Sequence, residues 1–161
     1  MPMILSNHPV DTVEAVADGN DWAFERASSD EIAIHARGTW TDYAIEFSWM
    51  EHFEALHISC RYDLRVPDGR RNETMRLITL INERVMLGHF DLWTQDGSIL
   101  FRTAMPLAGG VEPGRRQIEF LVNTVLEQCE RYYQALQHVV WGGQGASDAL
   151  DNVLFDTVGE A

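Results

Sequence analysis

Two stretches between residues 41 and 66 alternate apolar and polar positions. Thr41, Tyr43, Ile45, Phe47 and Trp49 fall on one side of an extended chain and Asp42, Ala44, Glu46 and Ser48 on the other, because successive strand side chains point to opposite faces. Leu56, Ile58, Cys60, Tyr62, Leu64 and Val66 repeat the pattern, with His57, Ser59, Arg61, Asp63 and Arg65 on the polar side. Such alternation predicts an antiparallel sheet with one oily and one wet face. Trp22 with Phe24, and Ile32 with Ile34 and Ala36, predict two shorter strands split by Ser28-Ser29-Asp30, the second ended by Gly38. Residues 89–94 and 99–105 predict a hairpin around Gln95-Asp96-Gly97-Ser98, where Asp-Gly supplies the positive φ of a tight turn.

Elsewhere apolar residues recur at three and four. Val10, Val13 and Val16 predict a helix over 9–17, with Pro9 in its first turn and Gly19 at its stop. A second helix runs from Asn72 as N-cap to Met86, carries Met75, Ile78, Ile81 and Val85, and is closed by Gly88. From Arg115 to Gln137, Ile118, Leu121, Val122, Val125, Cys129, Tyr132, Tyr133 and Leu136 form a broad stripe that can bury against a sheet. Trp141-Gly142-Gly143 breaks it, and a short helix over 147–155 follows. The order α-β-β-β-β-α-β-β-α-α reads as α+β, a mainly antiparallel sheet packed by helices on one face.

With 161 residues, no internal repeat and no long linker, residues 1–161 form one domain. Twelve Arg, no Lys and 25 acids leave a charge of −13, which repels phosphate backbones and anionic lipid, so neither nucleic acid nor a membrane is expected as partner. Apolar runs are too short to span a bilayer, and the start Met1-Pro2-Met3-Ile4-Leu5 lacks the regions of a secretion signal, so a cytoplasmic location is expected. Cys60 and Cys129 read as reduced core thiols.

Candidate chemistry is sparse. His57 and Cys60 fall on opposite strand faces and cannot work as base and nucleophile. No metal-ligand spacing or phosphate loop appears, so no metal, cofactor or catalytic residue is assigned. His89 and Asp91 share a strand face, and with Arg102 they define an alternative reading, a small-molecule sensor or enzyme with a pocket there. The polar sheet face, with Glu46, His57, Arg61 and Arg65, is either a solvated surface or a protein-binding one, and Trp93, on the face of His89 and Asp91, adds an aromatic anchor.

Several strings together resemble the bacterial YbjN family: Asp21-Trp22-Ala23-Phe24-Glu25-Arg26, Gly38-Thr39-Trp40-Thr41-Asp42-Tyr43, Ile81-Asn82-Glu83, Leu87-Gly88-His89-Phe90-Asp91-Leu92-Trp93, Phe101-Arg102, Trp141-Gly142-Gly143 and Gly159-Glu160-Ala161. The likeness covers residues 20–161. It implies a fold similar to type III secretion chaperones, small acidic cytosolic proteins that dimerise and bind client polypeptides without catalysis. The family is labelled a sensory-transduction regulator. The expectation is therefore a non-enzymatic homodimer that binds a client or regulatory polypeptide.

Overall fold

The computed structural model describes residues 8–159, with side chains through Phe155. The start Met1 to Asn7 and the terminal Glu160-Ala161 lie outside the described residues. Along the chain come α1 (Pro9–Gly19), β1 (Ala23–Arg26), β2 (Glu31–Arg37), β3 (Asp42–Met50), β4 (Ala55–Arg65), α2 (Arg71–Asn82), β5 (His89–Leu92), β6 (Ser98–Pro106), α3 (Arg115–Val140) and α4 (Ala146–Gly159). Their order is the one that the patterning predicts. Every strand pairing is antiparallel, and the sheet runs β1-β2-β3-β4-β6-β5.

All helices lie on one side. α1 packs on β1, β2 and β3, α3 crosses β3, β4 and β6, α2 meets β5, and α4 packs on α2 and α3. The oily positions of the alternating strands (Ile34, Ile45, Phe47, Ile58, Tyr62 and Phe101 among them) join Val13, Leu77, Val125 and Leu136 in one core. At about 25 cal/mol per Å² of apolar surface removed from water, this burial is the main driving term of the fold. β4 is its axis. Tyr62, fully enclosed, stacks on Phe90 at 6.1 Å, tilts against Tyr133 at 5.6 Å, and donates its hydroxyl hydrogen bond to the Cys129 carbonyl at 2.6 Å. One side chain thus joins two strands to α3.

The start of α2 holds the junction of the last two helices. Arg70 donates from Nε to the Val139 carbonyl at 2.8 Å, an acceptor that the end of α3 leaves open, and from Nη2 to the Gln144 carbonyl at 2.7 Å in the loop before α4. Glu73 Oε1 accepts from the Ala146 N–H at 2.7 Å, at the first residue of α4.

Three local expectations are corrected. α2 starts at Arg71, so Asn72 lies inside it, exposed, and is not its cap; a 3-10 turn over Asp68–Arg70 leads in with no side-chain cap. It ends at Asn82 rather than Met86, leaving Val85 and Met86 in a loop, while Met75 is 42 % exposed outside the buried face of Leu77, Ile78 and Ile81. The early stop has a cause: the Asn82 amide accepts from the Phe90 N–H at 2.8 Å and donates to the Phe90 carbonyl at 3.1 Å, acting as a one-residue strand beside β5. Between them Gly88 sits at φ +81, where an added Cβ would lie 2.7 Å from the Phe101 ring and 2.8 Å from the Arg102 carbonyl. In the β5–β6 connection only Gly97 takes positive φ, and the turn spans 93–97, closed by the Gly97 N–H on the Trp93 carbonyl at 2.8 Å.

Asn82→Ala removes both bonds at Phe90 and is expected to cost about 1–3 kcal/mol in urea unfolding, whereas Asn72→Ala is expected to change stability by less than about 0.5 kcal/mol.

Candidate functional site

Because the helices cover one face, the polar residues of the sheet form an open surface. Along β4 the side chains alternate between buried and exposed or half-exposed, with His57, Ser59, Arg61, Asp63 and Arg65 outward. β6 lies between β4 and β5, so Arg61 and Trp93 sit two strands apart and reach toward each other across it. The Arg61 guanidinium carbon is 5.1 Å from the Trp93 ring centroid, and Nη1 reaches Asp96 Oδ2 at 3.3 Å and Ser98 Oγ at 3.2 Å. Leu100, whose register neighbours are Arg61 and Asp91, is only 3 % exposed although it points to the wet face. Trp93 itself stays 42 % exposed, an indole presented to solvent on a fixed base. Asp96 accepts from the Ser98 N–H at 2.9 Å, and the Ser98 hydrogen bonds, then the charges of Arg61 and Arg65, hold its carboxyl below the usual range. Arg65 follows a register irregularity and pairs with Ser98, which brings it to the same end of the sheet.

Glu46 and His57 share this face but stand away from that group. Glu46 is opposite Ser59 and exposed, and His57 is opposite Ser48 and Ala104. His57 Nε2 is buried without a hydrogen-bond partner. Desolvation, then the charges of Arg102 and His89, push its pKa below the ordinary imidazole value. The alternative cluster also assembles: Asp91 Oδ2 lies 3.7 Å from His89 Nε2 and 3.7 Å from Arg102 Nη1. These groups lie flat on the sheet, and the open depression beside them, about 350 Å³, is lined by Asp91, Leu92, Trp93, Thr94 and Gln95 rather than by His89 or Arg102. Among the described residues no group of His, Cys, Asp or Glu is placed to hold a metal ion, and no helix is long and apolar enough to cross a membrane.

One surface escapes the sequence pattern. A groove of about 370 Å³ runs between β6 and the start of α3, with Leu87, Met105, Pro106, Arg116, Phe120 and Leu121 in its wall. Its only sequence signal is Phe120, an aromatic that falls off the apolar stripe of α3 and is 56 % exposed.

A six-stranded antiparallel sheet with helices packed on one face and its other face open defines an α+β class of protein. The family model described as "YbjN: Putative bacterial sensory transduction regulator" matches residues 9–138, and the chain belongs to that family. A solved structure described as "YbjN, a putative transcription regulator from E. coli" is similar in fold, with a TM-score of 0.56 and 12% identity over 75% of this chain and 85% of that one. No curated protein sequence matches.

A double-mutant cycle of Arg61→Ala and Trp93→Ala in urea unfolding is expected to give a coupling of about 0.5–1 kcal/mol, the worth of an exposed cation–π contact; additive effects would show that the two do not interact. For His57 the sign follows from its lowered pKa. The folded state resists its protonation, so its stabilising effect is complete above the unfolded value of 6.5 and is lost as pH falls from there toward the folded one. Wild type is therefore expected to lose more stability than His57→Gln between pH 7.5 and pH 5.5, as read by urea midpoints.

Proposed function

We propose that this chain is a cytoplasmic, homodimeric protein-binding module without catalytic activity that regulates or chaperones a partner polypeptide. The observation that carries the reading is the open sheet face, where Arg61 holds an exposed Trp93. A pre-positioned indole costs little side-chain entropy on binding, and Trp and Arg are the residues most enriched at energetically dominant interface positions. Mixed charge around them, with Arg61, Arg65 and Asp96 at one end and Glu46 further along, suits a self-complementary or charge-matched partner. The family's description as a sensory transduction regulator supports the same class of action.

Sedimentation and solution scattering over a concentration series test it. The expected particle is twice the 18.3 kDa chain mass, with Trp93→Ala and Arg61→Ala raising the dimer dissociation constant at least about tenfold while circular dichroism is unchanged. A wild-type monomer at all concentrations overturns the dimer, and a dimer indifferent to both substitutions overturns the role of this face.

A further inference from the structure

We infer that the groove beside β6 binds an extended, apolar and acidic segment of a partner polypeptide, which adds to the sheet as a strand along residues 103–106. The inference rests on the protein-binding reading and gives the partner a second, separate point of attachment.

The backbone is open there. Asn82 engages both backbone groups of Phe90 from outside the sheet, so Phe90 turns them away from β6, and its register partner Phe101 turns its own toward β4. The Leu107 N–H, on the Glu54 carbonyl at 2.7 Å, continues that parity. Arg102, Ala104 and Pro106 consequently point their backbone groups toward the β5 side. His89 meets Arg102, and β5 begins there, so the N–H and carbonyl of Ala104 and the carbonyl of Pro106 face outward beyond the last strand. Pro106 has no N–H to leave unpaired, as suits an edge position.

The walls fit a strand. Leu87, Met105, Phe120 and Leu121 supply apolar contacts beside the edge, and the four residues 103–106 span about 13 Å, matching a segment of about four to six residues. Charge selects the occupant. Arg116 lines the groove in the first turn of α3, where no acid stands, and no ion-pair partner is seen for it among the described residues, whereas Arg115 is paired with Glu119 at 3.0 Å. A second copy seated groove against groove would set Arg116 against its own counterpart. A partner segment with apolar residues at alternate positions and one carboxylate meets both the walls and the guanidinium.

A random heptapeptide display library selected on the full chain tests this, with affinities of the enriched peptides read by fluorescence anisotropy. The expected peptides carry alternate apolar residues and a carboxylate, and bind at least about tenfold more weakly to Phe120→Asp, Arg116→Glu and Ala104→Pro. Ala104→Pro removes an outward N–H that no strand of the sheet uses, and circular dichroism checks its fold; if it unfolds, N-methylation along the peptide replaces it, with loss expected at the amide that meets the Ala104 carbonyl. Trp93→Ala is expected to leave peptide affinity unchanged, so failure of the groove and failure of the dimer face read out separately. No enrichment, affinity indifferent to Phe120→Asp, or affinity indifferent to both Ala104→Pro and N-methylation overturns the inference. Conversion of a dimer to a monomer by Phe120→Asp also overturns it, by making the occupant a second copy.

Discussion

Everything in the molecule follows from a sheet that buries one side only. Its apolar residues face a single layer of helices, and β4, longest of the strands, carries the contacts between them through Tyr62. Side chains on the other side have no layer over them, so they pair among themselves or stand exposed, with His57 Nε2 a buried exception that has no partner. Arg61 shows the outcome: its guanidinium serves an indole, a carboxylate and a hydroxyl at once, and Leu100 is left buried on the open face.

The chain connects its helices with the same economy. Arg70 and Glu73, at the entry to α2, hold the end of α3 and the start of α4, so the helical layer is joined by charge-assisted bonds at its rim as well as by its packed interior. These contacts span about seventy residues of sequence, which local propensity does not encode.

What was legible in the sequence was what repeats. The period of two at 41–66 gives both faces of β3 and β4, and so places Glu46, His57, Arg61 and Arg65 together on the wet side. The three-four stripe gives the buried side of α3, whose observed end at Val140 lies beyond the expected one. What was not legible depends on neighbours distant in the chain. The end of α2 is set by Asn82 meeting Phe90, not by the apolar pattern, which continues to Val85. The meeting of Arg61 with Trp93 depends on β6 inserting between β4 and β5, an order that strand periodicity does not specify. The apolar groove arises where β6 outruns β5 beneath the start of α3, a mismatch of lengths that no single segment records. His57 and Glu46 share a face with the Trp93 group yet stand apart from it, because period two fixes the side of a residue and not its distance across strands.

The Asn82 amide has one more consequence. By filling both ladder groups of Phe90 with a side chain, it denies β5 the unbroken row of donors and acceptors on which a fibril grows. Any strand arriving at this rim finds a short berth and then a blocked one. At this edge, then, a side chain interrupts the row of backbone groups that edge-to-edge stacking needs.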